Sequence, residues 1–390
     1  MKRSLLSTVN RRLLRVTAPV LMLAAPLITV GQAEAACTPT APVSNTTVNC
    51  TGTTIDANGT NGYGTAADTG NTYSIGSGAI LSGTNNGLLL RSGTVDNSGT
   101  ITGGGVAIKS TNTLSVTNAG LIGALVPGGI AINGGIVTAS NTGEITGAQF
   151  AIAANTLNLV NGSEGAIEQS DANGAAISTT TLNGSNAGQI VAHGANSLAI
   201  DAGVVDFRNT GLIQGDARGI SASIVTLTNA GTITAIAANG AAIVADTASI
   251  INTGNISGSR GISVTDHVSV SNSGTISGEF LGIFANNATV INSGLITGAN
   301  NGFALGTSAA IDLNNSGTIK GAGGVTQAVV VGSGGTIFNS GSIIADGFAI
   351  FHVAGADKAL AITNAASGTI IGADGIFSNG TLNIANSGTI

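Results

Sequence analysis

The pentapeptide Asn-Ser-Gly-Thr-Ile recurs along this chain, and a phrase that returns at a regular interval restricts the fold to a repeat architecture. Intact copies begin at Asn97, Asn272, Asn315 and Asn386. Looser copies begin at Asn118, Asn141, Asn186, Asn209, Asn229, Asn252, Asn292 and Asn339, and copies with a two-residue insertion begin at Asn161 and Asn364. The fourteen copies from Asn97 to Asn386 are spaced by about 22 residues on average. A repeat of that length is one turn of a solenoid, which buries its apolar face only by stacking on its neighbours.

Within a copy, three short runs alternate apolar and polar residues. In the copy from Asn272 these are Thr275-Ile276-Ser277, Gly282-Ile283-Phe284-Ala285 and Ala288-Thr289-Val290-Ile291. Runs of this length, rich in Ile, Val and Thr and divided by Gly, Asn and Ser, read as strands joined at tight corners. Three strands per turn, each beside its counterpart one period later, make a parallel β-helix. Its nearly proline-free array agrees, because proline cannot donate to a ladder: only Pro127 of the five prolines falls inside it. Period-two alternation then turns Ile101, Ile145, Ile190, Ile233, Ile276, Ile296, Ile319 and Ile390 inward as one column and the preceding Thr outward. The Gly is expected to supply a positive φ at the corner. The Asn either bonds backbone groups of its own corner or passes its amide to the next Asn along the axis. At Asn161 and Asn364 the extra residues are expected to bulge outward.

Ahead of the array, Lys2, Arg3, Arg11, Arg12 and Arg15 precede an apolar stretch from Val16 to Val30, and Ala33-Glu34-Ala35 offers a small-residue cleavage site. Residues 1–35 therefore read as an export signal. A lipoprotein signal would place an apolar residue three positions before Cys37, where Glu34 stands. Residues 36–80 are assigned to an N-terminal cap and 81–390 to the array. The two cysteines, Cys37 and Cys50, are expected to form a disulfide in an exported chain. Without the signal, seven Lys/Arg face seventeen Asp/Glu, and the cations are scattered singly. No basic stripe exists to neutralise phosphates, which excludes nucleic acid as a partner.

Export signal, short cysteine pair, tryptophan-free acidic composition and Asn-Ser-Gly-Thr-Ile turns together resemble the passenger domains of bacterial type V autotransporters. The resemblance covers residues 36–390 and rests on the repeat. It implies a right-handed β-helix, export through the periplasm, and secretion by an outer-membrane barrel. It further implies display at the cell surface, or release, as an adhesin-like stalk without catalytic activity or cofactor. The partners it implies are a host or bacterial surface, or like molecules on neighbouring cells. No run of amphipathic strands with aromatic girdles occurs here, and the sequence stops within a repeat at Ile390, so further turns and a barrel are expected downstream.

A parallel β-helix also carries polysaccharide lyases and hydrolases, the rival reading. Paired carboxylates for glycoside cleavage would be Glu164 with Glu168 or Asp201 with Asp206, yet no basic residues or Trp and Tyr platforms accompany them. His193, His267 (beside Asp266) and His352 fall in different turns and read as polar surface residues rather than a catalytic base or zinc ligands. Asp216, Asp346 and Asp374 recur before a second strand, where Asp forms turns more readily than it binds calcium. Phe284, Phe303, Phe348 and Phe377 fall in second strands and are expected in the core. An ice-binding face would need unbroken Thr-x-Thr ranks, and Thr100-Ile101-Thr102 and Thr232-Ile233-Thr234 are too sporadic.

Overall fold

The computed structural model describes residues 37–124, 126–324, 326–353 and 358–390; the expected export signal lies outside them. The described chain is a right-handed parallel β-helix of about 15 turns with about 23 residues in each, and it contains no helix. Each turn lends one strand to each of three parallel sheets. The first sheet takes the strand after the Asn-x-Gly corner, the second takes the next, and the third ends in the repeat Asn. Thus Ser92–Asn97 pairs with Thr113–Asn118, which pairs with Ile136 to Asn141 of the following turn.

The expected isoleucine column runs through the first sheet. Ile101, Ile122, Ile145, Ile167, Ile190, Ile213, Ile233, Ile256, Ile276, Ile296, Ile319, Ile343 and Ile370 lie in one register. All are 0% exposed. Each contributes roughly 1.5–3 kcal/mol by burial. Ile390, expected in the same column, is 49% exposed. The second sheet carries a parallel column from Leu88 through Ile152 and Ile243 to Ile350. In the third sheet sizes vary and compensate: Gly184 lies between Leu159 and Phe207, and Phe207 is buried.

Three separate strands per turn is not the rule throughout. In six turns the second and third strands fuse into twelve-residue strands such as Ile130–Asn141 and Ala241–Asn252. Asn255–Asn272 runs through all three faces. The twelve-residue strands bend at the corner in constant register with one another, whereas the pairing of Asn255–Asn272 shifts register at its corners, between Ala245 and Thr247 on one neighbour and between Gly258 and Arg260 against the other.

The repeat Gly is required for a reason other than the expected one. None of Gly99, Gly120, Gly143, Gly211, Gly231, Gly254, Gly274 or Gly317 has a positive φ. What excludes a side chain is the turn beneath. A Cβ at Gly211 would lie 2.1 Å from the carbonyl oxygen of Gly188, one at Gly231 2.1 Å from that of Gly211, and one at Gly254 2.1 Å from that of Gly231. Each of these carbonyls points along the axis and accepts from the next turn, as Gly211 does from the Thr232 N–H at 2.8 Å. The corner glycines therefore stack as a column with no room for a methyl group. The inserted residues behave as expected: Ser163, Glu164, Ala366 and Ser367 are exposed, and Gly165 and Gly368 close tight turns onto Gly162 and Ala365.

Parallel pairing begins ahead of Leu81, inside the segment assigned to the cap: Thr47–Cys50 pairs with Thr72 to Ile75, which pairs with Thr94 to Asn97. The non-repeating part is residues 37–46. They are held by a Cys37–Cys50 disulfide, by paired backbone bonds between Thr38 and Asn49, by the Tyr63 hydroxyl donating to the Pro39 carbonyl, and by the Asn71 amide donating to Val43.

Candidate functional site

Two polar or aromatic assemblies rise from this frame: a ladder inside the rod and a cluster of rings outside it. The inner one is built by the repeat asparagines. Every copy from Asn97 to Asn364 is buried, and each Nδ2 donates to the Oδ1 of the next copy. The chain of thirteen amide–amide bonds runs unbroken from Asn97 to Asn386 at 2.7–2.9 Å. Both expected bonding modes occur together. Asn118 Nδ2 also donates to Gly120 O of its own corner and to Glu144 O of the next turn, each at 3.1 Å. At the inserted copy, Asn161 reaches Gly165 O at 3.1 Å instead, so the bulge leaves the ladder intact. Buried amides so satisfied reinforce one another, and each would cost about 1–3 kcal/mol if left unpaired. Asn97, Asn272, Asn292, Asn315 and Asn386 thus work with Ile101, Ile276, Ile296 and Ile319 as structural residues.

The candidate acids do not converge. Glu164 sits in an exposed bulge, while Glu168 lies on the first sheet and pairs with His193 of the next turn, Oε2 to Nε2 3.6 Å. Asp201 lies on the outer second sheet and Asp206 on the outer third. Partial burial raises the Asp201 carboxyl above the ordinary carboxylate range, with the charge of Arg218 opposing it. His267 and Asp266 are exposed at a corner. His352 departs from the surface reading: it is 0% exposed and occupies the column of Val331 and Ser378. Its Nδ1 lies 2.8 Å from Ser378 Oγ and its Nε2 faces the Ser333 carbonyl. It thus serves as an interior corner residue in the column of Ala285, Thr307, Val331 and Ser378.

Two of the three corner aspartates accept a backbone N–H group from the preceding turn, while Asp374 is exposed. Asp216 Oδ2 accepts from Asn196 and Asp346 Oδ2 from Gly323, at 2.8 and 2.7 Å. Asp171 Oδ2 accepts from the Gly128 N–H at 2.8 Å, two turns away across the short corner at Ala148 and Gln149; sequence reasoning missed it although Asp-Ala-Asn-Gly follows the pattern of the neighbouring corners. Among the described residues no three His, Cys, Asp or Glu side chains gather as a metal site.

The outer assembly overturns an expectation. Phe284, Phe303 and Phe348 are half-buried and Phe377 is 38% exposed; none belongs to the core. They stand on the outer face of the second sheet with Phe351. Phe284 and Phe303 have ring centroids 5.9 Å apart, and Phe351 stacks on Phe377 at 5.1 Å with Phe348 against both. Phe303 lies over Gly306 of its own strand, where a Cβ would meet its ring at 2.2 Å. The cause is the interior column: Ile283, Leu305, Ile350 and Ile376 already fill the inward position of these strands. A patch of rings on a face with no neighbouring layer is the kind of surface that proteins use for contact.

Comparison with known proteins returns no family model, no curated protein and no solved structure that matches this chain.

Proposed function

We propose that this chain is a non-catalytic β-helical stalk of the passenger type, exported from a bacterial cell and displayed at its surface or released from it. The observation that supports this most is the unbroken asparagine ladder, which ties every turn from Asn97 to Asn386 to the next through buried amide bonds. A rod so cross-braced is suited to standing away from a membrane and resisting proteases, because no turn opens without unpairing its neighbours. Secretion through an outer-membrane barrel, and contact with like molecules or host surfaces, belong to the same proposal. The aromatic face around Phe351 and Phe377 supplies an apolar contact surface for such encounters.

Antibody labelling of intact cells that produce the full gene product tests the display, and the settling rate of those cells tests the contact. The expected result is labelled cells that settle faster than cells lacking the protein, with the gain reduced by Phe351→Ser plus Phe377→Ser. Protein confined to the cytoplasm, or settling indifferent to its presence, contradicts the proposal.

A further inference from the structure

The corner between the first and second sheets changes length along the rod, and this cuts a cleft into its edge. After Thr232–Ala235 the chain spends residues 236–240 in a loop before the second sheet resumes, and after Leu295–Ala299 it spends residues 300–302 in another. The two turns between them have no loop at all. Asn255–Asn272 and Thr275–Ala285 pass through that corner as continuous strands. The outcome is a trough of about 650 Å³, walled by the two loops and floored by Gly258 and Gly278.

Both walls are braced from the side away from the trough. Ile236 and Ala237 donate their N–H groups to Gly215 and Asp216 of the preceding turn, and Asn301 donates its N–H to Gly323 of the following one. The cleft is therefore formed before any ligand arrives, which lowers the ordering cost of binding.

Its chemistry selects a class of ligand. Thr234, Ser257 and Ser277 present hydroxyls on successive turns, with Ser257 donating to Thr234 at 3.2 Å. Among the described residues, the hydroxyls of Ser259 and Ser277 and the carboxylate of Glu279 have no hydrogen-bond or ion-pair partner. Ile236 adds an apolar wall that is 60% exposed, and Phe280, beside Glu279, is 43% exposed. No Lys, Arg or His lines the trough, so an anionic ligand would meet only repulsion from Glu279. One carboxylate is too few for a calcium ion, which takes about 6–8 oxygen ligands. A peptide strand has no edge to join, because the strands of the floor are paired on both sides. What remains suited to the site is a molecule that both donates and accepts hydrogen bonds at short intervals and also shows apolar C–H faces. We propose that the cleft between residues 236–240 and 300–302 binds a neutral oligosaccharide, with Ser257, Ser277 and Glu279 taking its hydroxyls and Ile236 lying against its ring faces.

The purified full chain, titrated by calorimetry and saturation-transfer NMR with short xylo-, cello-, manno- and chito-oligosaccharides, tests the site. Oligogalacturonate of equal length serves as the charged control. At least one neutral series is expected to bind with a Kd on the order of 0.1–1 mM, and Glu279→Ala or Ser277→Ala is expected to weaken it about tenfold or more. Both positions are at the surface, and an unchanged circular dichroism spectrum would show that the variants fold. Absence of binding by every neutral series overturns the assignment, as does binding that persists in both variants or that favours oligogalacturonate. Binding here does not depend on where the rod is displayed, so the solution assay fails or succeeds separately from cell labelling and settling.

Discussion

The first turns and the later turns solve the same corner differently. Cys50, Ile75 and Asn97 occupy one column in three consecutive turns. The first is closed by a disulfide to Cys37, the second by simple burial, and from the third onward by an amide ladder. The ladder is a propagating device, since the donor of each Asn is satisfied by the acceptor of the next. The first turns use terminating devices whose partners lie close at hand. Tyr63 and Tyr73 meet edge to face at 6.0 Å, Asn71 donates to the Tyr73 hydroxyl at 2.9 Å, and Asp68 is buried beside them. Asn97 marks the junction: with no amide before it, its Oδ1 accepts the N–H of Gly99 at 3.2 Å. Repetition is therefore economical only where a neighbour of the same kind exists on both sides.

The largest way to break this contrast is to interrupt the ladder at its middle. Asn229→Ala removes the bonds to Asn252, Gly231 and Asn255, and takes from the Asn209 amide one of its three acceptors, leaving it Gly211 and Thr232. The expected loss is about 3–5 kcal/mol, read from urea unfolding. Asn97→Ala should cost less, because Asn97 has an amide neighbour on one side only. Removing the disulfide with Cys37→Ala and Cys50→Ala comes next, at about 2–3 kcal/mol. That loss should be confined to the first turns, so limited proteolysis would cut ahead of Asn97 and spare the ladder.

A smaller effect separates the regions by pH. Burial first, and the charge of Asp68 second, push the Tyr63 hydroxyl from 10.0 up to about 12, and burial likewise raises Tyr73. A phenol that stays neutral in the folded state and ionises near 10 when unfolded adds stability that is complete below pH 10. That stability is lost as pH rises toward the folded value. The chain's two tyrosines both lie ahead of Asn97, so between pH 10 and about 12 the first turns should lose exchange protection before the ladder does. The smallest effect is expected on the outer face: Phe351→Ala should change thermal stability by less than about 1 kcal/mol while altering association, because its ring is half exposed.

Much of the fold is legible in the repeat. Asn, Gly and Ile recur because ladder, close-packed corner and inner column each admit one kind of residue. The reason for the glycine is not legible, since a single copy does not reveal that the carbonyl of Gly188 lies against the corner of Gly211. The phenylalanines mislead for another cause. In Phe303-Ala304-Leu305 alternation puts Phe303 on the side of Leu305, yet Ala304 and Leu305 are both buried where the chain turns the corner, and Phe303 is left outside. His352 follows the opposite course: it takes the inward position of Val331, where its ring nitrogens meet Ser378 and Ser333. The cleft depends on corner lengths in four successive turns, and no local pattern encodes it.

Hydrogen–deuterium exchange of Asn229→Ala beside the unchanged chain tests the ladder most directly. Loss of protection centred on the turns between Asn209 and Asn252 and fading outward, with residues 47–97 still protected, is the result expected if stability passes from turn to turn through the amides. Protection that stays uniform, or that falls no more than in the surface variant Thr228→Ala, would contradict it.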